Sequence, residues 1–326
     1  MKMKLTRRLL GAWALSLLGL TCAQAQTPAF PSQQIKLIVP YPAGGATDIL
    51  ARMMGQKFSE AWNVPVVVEN KPGAGGTIGN NLVARANPDG YTLLSVSSAH
   101  TVAPAIYAKL PYDTRKDLAG ITGTATSKYV LVVAPTQPYR NVKDLVAAAK
   151  AKPGALNFSS AGVGSGTHFA GELFKSLAKV DVVHVPFKGI PEALTETMSG
   201  RVQFFMSPIA NAVNLVKDGK VTALGVSSPR RDPLLPDVPT VIEGGVPGFE
   251  AELWFGLLTS TRVPKPLLAR LNQEIVAILR EPEVKQRWAP LGLEPIPSTP
   301  ERFDQRIAED MKLYAELAKA GNIKAE

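Results

Sequence analysis

Two copies of one local pattern limit what this chain can fold into. Residues 39–48 read V-P-Y-P-A-G-G-A-T-D. A mostly apolar run over 35–39 ends at Pro40, and helix-forming residues begin near Thr47. Between them stand the aromatic Tyr41 and two glycines, Gly44 and Gly45. A strand that turns into a helix in this way leaves first-turn N–H groups without intrahelical partners. Thr47 or Asp48 is placed to cap one of them. The remaining donors and the helix dipole favour a negative charge beyond the strand end. Residues 185–189, V-P-F-K-G, repeat the idea at the end of an apolar run over 182–185. One strand–Pro–aromatic–Gly turn in each half implies two lobes that face each other across a ligand.

Strand and helix patterns alternate from residue 34 onward, which predicts an α/β fold with mainly parallel sheets. Strands are expected over 35–39, 64–69, 91–97, 129–134, 156–160, 182–185, 202–206, 221–227 and 253–259. Helices are expected over 47–61, 77–86, 142–152, 167–178, 192–198 and 210–217, with a helical tail over 265–280, 282–288 and 300–320. A Pro-rich connector covers 228–239. The apolar strands over 128–134 and 253–259 are each approached and left through loops, as paired hinge strands would be. Lobe 1 then comprises 26–127 and 251–326, and lobe 2 is an insert over 128–250.

The first 25 residues read as a cleaved signal peptide. Lys2, Lys4, Arg7 and Arg8 form a basic start, an apolar run covers 9–20, and A-Q-A over 23–25 suits cleavage. The run is shorter than the ~20 residues of a spanning helix, so a periplasmic or secreted protein is expected. Sec and Tat export both fit the paired arginines. Cys22, the single cysteine, falls in this segment, so no disulfide is expected. The four basic residues of the leader take the 36 of the chain to 32 against 27 acidic, a balance of +5. The remaining Lys and Arg are scattered, without the basic, aromatic-interleaved stripe of a nucleic-acid binder.

Candidate ligand contacts follow from the turns. Gly44, Gly45, Ala46 and Thr47 suit close backbone approach to an anion, whereas Asp48 would repel one and reads as structural. Tyr41 and Phe187 read either as two aromatic walls or as strand-end packing, and Lys188 with Gly189 as contact or solvent-facing turn. The loop S-A-G-V-G-S-G-T-H over 160–168 sits between a strand and a helix, and offers Gly164, Ser165, Thr167 and His168. Ser97 and Ser98, at another strand end, are plausible hydroxyl contacts. A hydrolase would use Ser165 as nucleophile and His168 as base, but G-x-G-S-G is not the G-x-S-x-G elbow. The glycine-rich turn 71–76 lacks dinucleotide and P-loop spacing. His100, His168 and His184 lack metal-ligand spacing, and His184 reads as a core residue. No cofactor and no metal are expected.

Residues 39–48, with V-E-N-K-P-G-A-G-G-T over 68–77 and N-P-D-G-Y-T over 87–92, resemble the Bug family of tripartite tricarboxylate transporter solute receptors. L-P-D-V-P-T over 235–240 with Glu243, and P-G-F over 247–249, extend the similarity across essentially the whole mature chain. The resemblance implies a periplasmic clamshell that traps a small carboxylate (a dicarboxylate, aromatic acid or amino acid) and delivers it to integral membrane transporter subunits. The carboxylate would be held by backbone N–H groups, hydroxyls and waters, in a monomer without catalysis. A periplasmic enzyme or a ligand-sensing co-receptor is the alternative on the same fold. One departure stands out: family members often carry an acidic residue where this chain has Gln203.

Overall fold

The first three strands carry apolar runs, and their carboxyl ends open into turns. β1 (Ile35–Val39) pairs in parallel with β2 (Val66–Asn70) and β3 (Thr92–Ser97), connected by α1 (Ala46–Trp62) and α2 (Thr77–Arg85). A 3-10 turn, Ser98–Thr101, and the short α3 (Ala103–Ile106) lead to β4 (Leu118–Val133). The second lobe follows as α4 (Val142–Ala151), β5 (Asn157–Ser160), α5 (Gly166–Ala178), β6 (Val183–Pro186), α6 (Ile190–Met198), β7 (Phe204–Pro208), α7 (Ile209–Lys217) and β8 (Thr222–Val226). The chain closes with β9 (Glu252–Ser260), α8 (Lys265–Leu279), α9 (Pro282–Trp288), β10 (Glu294–Pro295) and α10 (Pro300–Ala320). The computed structural model describes residues 30–324, so the expected leader and Cys22 lie outside the described residues. Among the described residues no helix is long and apolar enough to cross a membrane.

β4 belongs to two sheets. Up to Lys128 it pairs with β9, and from Tyr129 it pairs with β7 and β8. The strand orders are β2-β1-β3-β9-β4-β10 and β8-β4-β7-β5-β6. Because both sheets share this strand, Gln33–Glu326 clusters as one compact unit. The result is the expected two-lobed α/β clamshell. Its flanks, β2-β1-β3 and β7-β5-β6, are parallel, whereas β4 and β9 run antiparallel to their neighbours, so the sheets are mixed rather than mainly parallel.

The strand expected over 129–134 covers only the last part of β4, from Tyr129 to Val133. Its first half, with Gly120 and Gly123, looks like a loop in sequence. The glycines are there because a Cβ on Gly120 would lie 2.6 Å from Asp304 Oδ1, and one on Gly123 3.0 Å from the Ile296 carbonyl. The strand expected as the second crossing, β9, lies wholly in the first sheet, between β3 and β4. Burial on both faces, rather than a hinge position, explains its continuous apolar run. The chain returns just ahead of it, where the Ala251 N–H donates to the Ser227 carbonyl. Ile38, Leu94, Val96, Trp254, Phe303 and Ile307 form the first lobe's core, and Val130, Val132, Phe205, Ile209 and Val213 the second's. Each such side chain contributes about 1.5–3 kcal/mol by leaving water.

Candidate functional site

The chain leaving the carboxyl ends of β1, β3, β5, β6 and β7 borders one cleft of about 560 Å³. In open α/β sheets that end of the strands is where ligands bind.

On the first-lobe wall, Gly45 is the N-cap of α1, extended at φ −77° and ψ 164°, with no side-chain cap. This corrects the expectation that Thr47 or Asp48 caps the helix. The ladder begins with the Ile49 N–H on the Gly45 carbonyl, 3.0 Å, so the N–H groups of Ala46, Thr47 and Asp48 precede it. Ala46 and Thr47 border the cleft. The Asp48 carboxylate is engaged elsewhere: it accepts from Gly44 N–H (2.9 Å), Asn70 Nδ2 (2.9 Å) and Arg52 Nε (3.1 Å). Burial alone would raise its pKa, but the hydrogen bonds from Arg52, Gly44 and Asn70 outweigh it and hold the group below its usual value. The turn is therefore pinned through a carboxylate whose charge is compensated outside the cleft. Tyr41 borders the cleft with its hydroxyl buried near Ser97. Burial pushes that phenol up to about 12 against the opposing effect of Ser97.

On the second-lobe wall, Ser165 caps α5, its hydroxyl accepting from the His168 backbone N–H at 3.2 Å. The Thr167 hydroxyl lies 2.9 Å from Ser165 Oγ and accepts from Ala161 N–H. Gly164, at φ +80°, donates its N–H to His168 Nδ1, 3.2 Å. The His168 ring stacks on His184 with centroids 3.7 Å apart, and His184 Nε2 meets Ser160 Oγ at 2.6 Å. Burial depresses both imidazoles, to about 4 for His168 and about 3 for His184. The His168 ring thus supports the loop from behind, and Ser165 Oγ contacts its backbone rather than its ring. Gly189, in extended backbone, caps α6. Just before it, the Lys188 N–H donates to the Glu192 carboxylate, 3.0 Å.

Three helix starts, those of α1, α5 and α6, therefore meet at the cleft. Among the described residues Lys188 is the single charged side chain that borders it. Such an arrangement can satisfy a carboxylate with fixed N–H and hydroxyl donors.

The cleft brings together Tyr41, Gly45, Ala46, Thr47, Ser97, Gly164, Ser165, Thr167, Phe187, Lys188 and Gly189. Three expected contacts do not border it. Gly44 is exposed in the turn, where its φ of +82° serves the backbone. Ser98 is fully buried in the 3-10 turn behind Ser97, and His168 is buried under its loop. Gln203 is also away from the cleft: its Oε1 accepts from Asn157 N–H, 2.7 Å, at the amino end of β5. The family departure there leaves the wall untouched. The turn of Pro72, Gly73, Gly75 and Gly76, which sequence reads as a plain turn without nucleotide spacing, also borders the cleft, as do Tyr129, Leu253 and Phe255, which sequence does not single out. The glycine turn did carry a signal, since it follows a strand end. A Cβ on Gly76 would lie 3.1 Å from the Tyr41 ring. Tyr129, Leu253 and Phe255 sit inside apolar strands and carry no signal beyond that of core.

Residues 50–323 match the family described as tripartite tricarboxylate transporter family receptor. A protein of the tcbD-tcbE intergenic region of Pseudomonas sp. (strain P51) is 37% identical over 312 residues, 95% of this chain and 93% of that one. Protein BugT of Bordetella pertussis is 30% identical over 295 residues, 90% of each. Among solved structures, the periplasmic binding protein BugD superposes with a TM-score of 0.83 at 30% identity, covering 91% of this chain and 100% of the other. An R. palustris protein with adipate gives 0.85 at 28% (90% and 99%), and MatC from Rhodopseudomonas palustris with bound malate gives 0.79 at 32% (88% and 99%).

Proposed function

This chain belongs to the tripartite tricarboxylate transporter receptor family, and from that premise we propose that it is a periplasmic receptor that captures a small carboxylate and passes it, unchanged, to integral membrane transporter subunits. The observation that carries the reading is the convergence of the α1, α5 and α6 starts on a cleft bordered, among the described residues, by one charged side chain. Hydrogen bonds to an ionised group contribute about 1.5–3 kcal/mol each, so several fixed donors hold a carboxylate without a buried counter-charge. Dicarboxylates form the leading ligand class, because related proteins carry adipate and malate. The receptor acts as a monomer. Lobe 1 spans 26–127 and 251–326 and lobe 2 spans 128–250, a division supported by the change of sheet at Lys128 and Tyr129 and by the return ahead of Glu252.

Native mass spectrometry of protein purified without refolding tests this, followed by calorimetric titration with adipate, malate, benzoate and aspartate. An acid recovered unchanged, or one binding at micromolar concentration, supports the receptor. Conversion of an acid to product, or no binding of any of the four to protein that carries no acid, would sink it.

A further inference from the structure

We propose that Phe169 is a positioning residue: it seats the second lobe's candidate anion loop, 161–167, on the first lobe. The inference rests on the reading of the cleft as the ligand site. Phe169 stands one turn into α5, and its N–H opens the helix ladder on the Ser165 carbonyl, 3.2 Å. Its ring is buried in a cluster with Val102, Ile106 and Ala318, which all belong to first-lobe elements. Tyr314 of α10 meets it edge-on, with centroids 5.1 Å apart.

Two other positions of the same segment touch across the lobes. A Cβ on Gly164 would lie 2.5 Å from Ile106 Cδ1, and one on Gly166 would lie 2.5 Å from the Tyr129 hydroxyl and 3.4 Å from Ser98 Oγ. The backbone at 164–166 thus rests directly on 98–106 and the hinge strand, with no room for a side chain between them. Segment 98–106 begins immediately after Ser97, which borders the cleft from the other wall. Packing at Phe169 therefore ties the donors of one wall to the backbone that carries the other. Interiors are close-packed, so removing the ring leaves a void that the loop must move to fill.

Hydrogen exchange on the ligand-free protein decides the point. The hydrogen-bonded amides of Ala161, Gly164, Ser165 and His168 should exchange at least about tenfold faster in Phe169→Ala, with the amides of β5 and β7 unchanged. Ile106→Ala attacks the same contact from the first lobe and should reproduce the pattern; it carries the test alone if the Phe169 variant fails to fold. Phe169→Leu, which keeps an apolar plug, should restore most of the protection. Unchanged loop amides in a folded variant would overturn the proposal, as would equal acceleration through β5 and β7, the mark of an ordinary core residue. Titration of the wild type with adipate runs beside it. If adipate fails to bind, the dicarboxylate reading suffers while the exchange result still judges Phe169.

Discussion

A Cβ built on Gly45 meets only the Pro42 carbonyl, at 3.7 Å, and its φ of −77° is open to any residue. The fold accepts a side chain there, and Gly45 borders the cleft beside the first-turn N–H groups of α1, where a side chain would take up ligand space. We expect Gly45→Val to weaken carboxylate binding at least about a hundredfold, roughly 2.7 kcal/mol, with the Tm of the ligand-free protein nearly unchanged. Retained binding in a folded variant would remove this turn from the ligand. Lys188 makes the opposite case. Its side chain is exposed, and its backbone N–H is already committed to Glu192. Lys188→Met should cost less than about tenfold in affinity, with a shallow salt dependence, since only long-range attraction is lost. A hundredfold loss in calorimetry would instead make Lys188 the carboxylate's direct partner. The turn glycines were legible in sequence because their spacing and position after a strand are local. Ser98 and His168 were misplaced because whether a residue beside a loop points into the cleft or beneath it depends on packing from another element.

At the scale of elements, the same division holds. Strands and helices with strong periodicity were legible, including α8 and α10 to within a residue. The first half of β4 and all of β10 were not, because their conformation is set by Phe303, Asp304 and Ile296 packing onto Gly120 and Gly123. The second-lobe loop shows what packing adds. Phe158, His168 and His184 stack beneath it, with Phe158 4.9 Å from His184. Burial holds both imidazoles, and the separate His100, below their ordinary 6.5. In the unfolded chain each takes a proton near 6.5; in the folded chain it stays neutral until near 4 or 3. The stability they contribute is therefore complete above pH 6.5 and is lost as pH falls toward 4. Carboxylates with depressed values, such as Asp48 and Glu252, act lower, below about 4.5. We expect calorimetric Tm to fall between pH 6.5 and 4.5, and His184→Gln to flatten that slope. A Tm flat over this window, or an equal slope in the variant, would show that the stack does not titrate with unfolding.

Across the whole molecule, we expect closure from the way the lobes share one strand. Lys128 stands opposite Glu252 in register, and both Lys128 and Arg306 of α10 pair with that carboxylate. Burial alone would raise its pKa, yet Lys128, Thr126 and Arg306 hold Glu252 down to about 2. This cluster fixes β4 to the first lobe up to Lys128. We expect bending to fall on the residues beyond, at Tyr129 and at the return near Ser227 and Ala251. The donors of Ala46 and Thr47 belong to the first lobe, and those of Ser165 and Thr167 to the second. An open form presents one set at a time to a ligand, whereas the closed form presents both. A ligand shifts an equilibrium only by its differential affinity for the two states, and here that difference is the second set of donors together with the water expelled from about 560 Å³ of cleft. We expect binding to favour the closed form by hinge motion. A compact chain of this length has a radius of gyration of about 20 Å. Small-angle scattering should show that radius shrink by roughly 1 Å, a few per cent of the compact value, when the acid recovered by mass spectrometry is added to saturation. An unchanged radius, with binding verified by calorimetry on the same sample, would mean that the lobes are closed before the ligand arrives or that one wall alone holds it.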